Sequence, residues 1–187
     1  MIPPSQITGF VLAGGKSSRF GSNKALAMVD GLFLLDKSLA LLSPFCSKIF
    51  ISGHYPEYHT FDYPSLPDII PELGPMGGIY TALKQTESPY LLFVTCDMPE
   101  MTGSLLERLI EKIAPAEITL WQQEDGSLQI FPSLYTKAVL PIVERHIIQG
   151  RLSVRSLFDE VVVRKLEIRK EEEAAFKNVN HIADLNI

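Results

Sequence analysis

Thr8-Gly-Phe-Val-Leu-Ala-Gly-Gly-Lys-Ser-Ser-Arg-Phe-Gly-Ser-Asn-Lys-Ala-Leu26 sets how the rest of the chain is read. Its opening residues, taken with Ile7 just before them, make the apolar run Ile7 to Leu12, which suits a buried parallel strand, and the run breaks at Gly14-Gly15 into a loop carrying Lys16, Arg19 and Lys24. Gly14, Gly15 and Gly21 allow tight turns in which successive backbone N–H groups form an anion-binding concavity. Arg19 adds a fork of donors suited to phosphate oxygens, and Lys24 a compact positive charge. The loop has neither the Gly-x-Gly-x-x-Gly spacing nor a closing Gly-Lys-Ser/Thr, so on spacing alone a flexible turn with solvated lysines stands beside the phosphate loop as a reading.

Working outward, the amphipathic stretch from Leu32 to Leu42, after the Asp30-Gly31 turn, repeats Leu35, Leu39 and Leu42 at helical spacing. Lys48 to Ser52 is the next short β-rich run. Strand, helix and strand in succession point to right-handed crossovers in a mainly parallel sheet. Gly53 to Pro67 reads as a loop; its His54 and His59, separated by Pro56, lack zinc-site spacing and read as surface or packing residues. Asp68-Ile-Ile-Pro-Glu-Leu-Gly-Pro-Met-Gly-Gly-Ile79 reads as an ordered turn leading into a helix from about Ile79 to Gln85. Gly77 and Gly78 would admit a ligand near that helix N-terminus, where the dipole favours phosphate.

Tyr90-Leu-Leu-Phe-Val-Thr-Cys-Asp-Met-Pro99 is a continuous apolar run with Asp97 just past its end. The carboxyl edge of an open α/β sheet is where ligands collect, and an Asp there can hold Mg²⁺ between protein and phosphates. The alternative is a helix cap or turn former, which Pro99, Gly103 and the nearer caps Thr102 and Ser104 make awkward.

In the second half, Ile118 to Gln122 and Ser127 to Tyr135 read as an antiparallel pair joined at Glu124-Asp125-Gly126, and Thr136 to Ile148 as a helix ending before Gly150. Arg151 and Arg155 offer two positive charges for an anionic acceptor, although such a pair is more often simply solvated. Val161 to Leu166 is a further strand, Arg169 to Lys177 a charged helix or linker, and Asn178-Val-Asn180 precedes a short last helix.

The 187 residues suit one domain, with 46% hydrophobic and 21% charged residues. A net charge of −5 argues against broad binding to nucleic acid or an anionic membrane. Cys46 and Cys96 form no metal or disulfide pattern, and neither a leader nor a membrane-length apolar stretch is evident, so a cytoplasmic protein is the expectation.

Leu-Ala-Gly-Gly-x-Ser-x-Arg-x-Gly-x-x-Lys-x-Leu resembles the opening signature of the nucleotidyltransferases, and with the later Gly-Pro-x-x-Gly-Ile it looks most like the molybdenum cofactor guanylyltransferases. The resemblance is strongest at Leu12 to Leu26, Asp68 to Ile79 and Leu92 to Pro99, with a fourth block at Asn178-Val-Asn180. It implies a single-domain Rossmann-like three-layer α/β sandwich with a mainly parallel mixed sheet, the nucleotide part over about 1–100 and the acceptor part over about 101–187. It implies GTP, molybdopterin and Mg²⁺ as ligands, with other cofactor-biosynthesis proteins and recipient molybdoenzymes as partners. Carried over by position, Leu12, Ala13, Gly14, Gly15, Lys24, Asp68, Gly77 and Asp97 would contact GTP. Asp97 would hold the metal, Lys24 and Arg19 would join it in catalysis, and Arg151, Arg155, Asn178 and Asn180 would face the acceptor. The chain has Ser52 where relatives often carry Asn, and Gln129-Ile130 where His-Pro is frequent. A nucleotidyltransferase using another NTP or phosphate acceptor, and a non-catalytic nucleotide-binding adaptor, are the competing readings.

Overall fold

The computed structural model describes residues 2–14, 23–53 and 55–179. A seven-stranded sheet is built from β1 (Ile7–Leu12), β4 (Lys48–Ser52), β5 (Ser65–Leu66), β6 (Tyr90–Thr95), β7 (Ile118–Gln122), β8 (Leu128–Thr136) and β9 (Val163–Glu167), in the order β5-β4-β1-β6-β8-β7-β9. The pairs β5–β4, β4–β1, β1–β6 and β7–β9 are parallel, and β8 runs antiparallel to both β6 and β7. The mainly parallel mixed sheet expected from the sequence is therefore present.

Strand β1 sits centrally because both of its faces are apolar. Ile7 and Val11 pack with Leu35, Leu39 and Leu42 of α1 (Leu34–Leu42) and Leu105, Leu106 and Leu109 of α3 (Gly103–Glu111). Phe10, on the opposite face, packs with Met76, Ile79 and Leu83 of α2 (Pro75–Gln85) and Val143 of α4 (Leu140–Ile148). Phe10 lies between Phe50 and Phe93, with ring centroids at 5.4 and 5.5 Å. Truncating fully buried Phe93 to Ala would cost about 3–5 kcal/mol by cavity formation. Between these apolar positions Gly9 lets the end of α1 approach: a Cβ there would lie 2.9 Å from Cys46 Sγ.

Several boundaries differ from the sequence reading. Helix α1 starts at Leu34, because Leu32–Phe33 (β3) pairs with Met28–Val29 (β2) around Asp30 and Gly31, both at positive φ. Helix α2 starts at Pro75, four residues before Ile79. Pro75 fits the first helical position, where an N–H has no intrahelical partner. The expected loop over 53–67 contains the 3₁₀ turn Pro56–Thr60 and edge strand β5, with His59 exposed and His54 outside the described residues. Residues 137–139 form a 3₁₀ turn ahead of α4, and Lys170–Phe176 is also 3₁₀. Arg108 stacks 4.5 Å over Trp121 and donates to Glu172 at 2.6 Å, while Phe176 lies edge-on to Trp121 at 5.2 Å, so this last segment is anchored across the sheet.

Candidate active site

Three parallel strands end in register. Leu12 lies beside Ser52 on one side and Thr95 on the other. Past these ends opens a cavity of about 200 Å³, lined by Leu12–Gly14, Lys24, Ala25, Ser52, Asp68, Gly74, Pro75, Gly78, Thr95–Asp97 and Phe131. Helix α2 begins at the same cavity without a side-chain cap, leaving the positive end of its dipole available to an anion. The floor requires glycine. Ala13 N–H donates to Ser52 O at 3.0 Å, and Gly53, at φ +138°, approaches so closely that its Cβ would stand 3.1 Å from Gly14 N.

Lys24 and Asp97 arrive from sequence positions 73 apart. Asn23 caps the 3₁₀ turn Lys24–Leu26 by accepting from Ala25 N–H at 3.1 Å, which sets the direction in which Lys24 leaves the chain. Lys24 Nζ donates to Asp97 Oδ2 at 3.4 Å, and Thr95 Oγ1 donates to Asp97 Oδ1 at 2.5 Å. The two charged side chains are 19% and 28% exposed, so solvent and ligand reach both. Asp97 is not a helix cap, since α3 starts at Gly103 behind Thr102. Among the described residues no three His, Cys, Asp or Glu gather as a metal cage. One carboxylate beside a phosphate-sized cavity nevertheless suits Mg²⁺, which usually takes one or two protein carboxylates and completes its shell with substrate phosphates and water.

Asp68 approaches from the other side. Its neighbour Ile69 donates from the backbone to Thr81 Oγ1 of α2 at 2.9 Å, which docks the segment on that helix. The carboxylate then lies over the first helical turn, where a Cβ on Gly77 would be 2.9 Å from Asp68 Oδ2. Burial pushes the Asp68 carboxyl above its ordinary range, and among the described residues no cation pairs with it.

Leu12, Ala13, Gly14, Lys24, Asp68 and Asp97 are thus brought to one cavity. Gly77 is buried beneath Asp68, and Gly78 lines the cavity instead; a Cβ on Gly78 would lie 2.8 Å from Ser52 Oγ. The two glycines therefore make room for side chains of this chain. Arg151 and Arg155 are engaged elsewhere: Arg151 donates to Glu160 at 2.8 Å and Arg155 to Leu128 O at 2.9 Å, and neither lines the cavity. Asn178 is exposed, and its neighbour Val179 bonds to the Asp97 backbone. Gly15, Arg19 and Asn180 lie outside the described residues. Thr95, Asn23, Tyr58 and Phe131 were not singled out from the sequence. Thr95 was within reach as the hydroxyl two residues before Asp97, whereas Phe131 enters through the pairing of β8 with β6.

An open, mainly parallel α/β sheet with its ligand cavity where the central strands end, and with a lysine and a carboxylate meeting there, has the arrangement of a nucleotide-binding α/β protein. The chain belongs to the MobA-like NTP transferase domain family, whose model matches residues 9–166. It is 32% identical to a probable molybdenum cofactor guanylyltransferase from Flavobacterium johnsoniae, over 96% of this chain and 95% of that one. It is also 32% identical to the molybdenum cofactor guanylyltransferase from Ralstonia nicotianae, over 99% and 97%. Its fold is similar to the crystal structure of molybdopterin-guanine dinucleotide biosynthesis protein A from Archaeoglobus fulgidus, with a TM-score of 0.80, 21% identity and coverage of 95% and 94%. Among the described residues no helix is long and apolar enough to cross a membrane.

Proposed function

We propose that this protein transfers GMP from GTP to the terminal phosphate of molybdenum-bound molybdopterin in the cytoplasm, releasing pyrophosphate and forming the guanine dinucleotide cofactor. The observation that carries the reading is the Lys24–Asp97 contact at 3.4 Å in a cavity that also holds Asp68, within a chain whose relatives are named molybdenum cofactor guanylyltransferases. The nucleotide part would be about 1–100 and the acceptor part about 101–187. In support, Phe131 alone comes from the second part among the described residues lining the cavity.

The acceptor needs little activation. A phosphate monoester has a second pKa near 6, so at pH 7 it is mostly dianionic and attacks the α-phosphorus without a general base. The protein's work is positioning and charge neutralisation. Lys24, Arg19 and the loop backbone N–H groups after Ala13 would hold the leaving pyrophosphate, and the uncapped start of α2 would add its dipole. Asp97, fixed by Thr95, would hold Mg²⁺, which supplies positive charge at the α-phosphate when bound. Asp68 would accept from guanine N1–H and the N2 amino group, a donor pair that neither adenine nor cytosine presents. Asn178 and Asn180 would face the acceptor, handed over by other cofactor-biosynthesis proteins and passed on to recipient molybdoenzymes.

The test is titration calorimetry of GTP, CTP, ATP and UTP with Mg²⁺, followed by pyrophosphate release with molybdopterin. Magnesium-dependent preference for GTP and acceptor-dependent pyrophosphate release are expected. Preference for CTP would reassign the nucleotide, and binding with no pyrophosphate release would make the protein an adaptor.

A further inference from the structure

Tyr58 lies in the 3₁₀ turn Pro56–Thr60 between β4 and β5, and it is fully buried in the α1-side core. Its hydroxyl nevertheless reaches the cavity floor, where it donates to Ala13 O at 2.9 Å and accepts from Asn23 Nδ2 at 3.1 Å. A phenol has one proton to give. With that proton on the Ala13 carbonyl, the hydroxyl accepts from the Asn23 NH₂, while Asn23 Oδ1, itself 3.2 Å from the hydroxyl, accepts from Ala25 N–H at 3.1 Å. Ala13 and Asn23 stand on the two sides of the glycine-rich segment, and Lys24 follows immediately. A single hydroxyl therefore joins the departure and return of that segment and fixes the cap from which Lys24 reaches Asp97.

We infer that Tyr58 is a positioning residue for triphosphate binding. It acts through Ala13 and Asn23, clamping both ends of the glycine-rich segment so that Lys24 is already directed at the phosphates before the nucleotide arrives. The inference rests on the proposed reading of that segment as the phosphate loop. Holding Ala13, Asn23 and Lys24 in place in advance lowers the cost of positioning Lys24 on binding. The surrounding rings keep the phenol in place independently of its hydroxyl, since Tyr55 and Phe61 contact it edge-on at 5.4 and 6.5 Å.

Tyr58→Phe removes the clamp and keeps the ring. Steady-state kinetics with GTP and molybdopterin should show KM for GTP raised about tenfold with KM for the acceptor within twofold of wild type. Amide exchange at Ala25 to Ala27 in the ligand-free protein should quicken at least about tenfold, while the strand amides of β6 keep their protection. A residue that served packing alone would lower the unfolding midpoint and scale activity with the folded fraction, moving neither KM. Asn23→Ala cuts the other end of the clamp without touching the core; it should reproduce the kinetic shift, and the double variant should be no worse than either single. Unchanged KM for GTP, or unchanged exchange at Ala25 to Ala27, overturns the inference. If wild type turns over a different NTP, the kinetic arm is run with that one. If it turns over none, the proposed function fails, while the exchange arm still decides the clamp.

Discussion

The backbone N–H of Val179 donates to the carbonyl of Asp97 at 2.8 Å, and the Val179 side chain packs on Ala27 and Val29. One residue near the C-terminus thereby touches the backbone of the carboxylate and the strand that follows the lysine. This contact ends the described part of a strap, residues 168–179, that leaves β9 and passes Trp121, and it couples two elements that no strand pairing joins among the described residues. Val179→Ala should lower stability by about 1–2 kcal/mol, from two buried methyl groups at about 0.8 kcal/mol each. It should also cut turnover several-fold, because Ala27 and Val29 lose their support. Urea unfolding and initial rates measure the two effects, and wild-type turnover with reduced stability would show that the strap only stabilises.

The Lys24–Asp97 pair is expected to matter for chemistry far more than for folding. Both groups are partly exposed, and pairs of this kind contribute about 0–1 kcal/mol. Asp97→Asn keeps the shape and an acceptor for Thr95 but removes the negative charge. Turnover should fall by about two to three orders of magnitude, with the thermal midpoint changing little. Near-normal Mg-dependent turnover would take Asp97 out of the catalytic role.

Much of this was readable in the chain because it depends on local pattern. An apolar run ending in glycines, and another ending in Asp97, are enough to place both at the carboxyl edge of a parallel sheet. What stayed hidden depends on contacts between distant segments. Gly77 and Gly78 read as part of the turn before the helix and as a place for a ligand to approach, yet they sit inside α2, and they are glycine there because Asp68 and Ser52 occupy the space their side chains would take. Phe131 carries no motif and reaches the cavity because β8 is inserted antiparallel beside β6. Arg151 looked available for an anion because its partner, Glu160, returns to it only through the 3₁₀ turn Val154–Asp159.

Asp68 gives a pH prediction with a definite sign. Burial raises its carboxyl in the folded state, so the folded protein binds the proton more tightly than the unfolded chain. Its contribution is intact below the ordinary Asp value of 3.8 and is lost as pH rises from there through the elevated folded value. Asp68→Asn has no charge to desolvate. The variant should unfold at a higher temperature than wild type at pH 7 and at the same temperature near pH 3, and its discrimination between GTP and ATP should collapse toward unity. Retained discrimination would shift base reading to the backbone of the Gly74–Pro75 turn.

Glu160 supplies the opposite sign. Hydrogen bonds from His146 first, and then from Arg151 and Arg145, hold its carboxyl down at about 2 from an ordinary 4.5. His146 is fully buried and meets Glu160 at 2.9 Å through Nε2 and Ser156 at 2.9 Å through Nδ1, so the group pins the end of α4 to the turn before β9. A depressed carboxyl stabilises the fold above its unfolded value, and that stabilisation disappears as pH falls from about 4.5 through about 2. Glu160→Gln should therefore be less stable than wild type at pH 7, with the gap closing across that acid window in urea titrations. Because Arg151 is committed to this clip and lies off the cavity, the same variant should keep wild-type KM values for nucleotide and acceptor at pH 7. A selective change in acceptor KM would instead return Arg151 to the acceptor site.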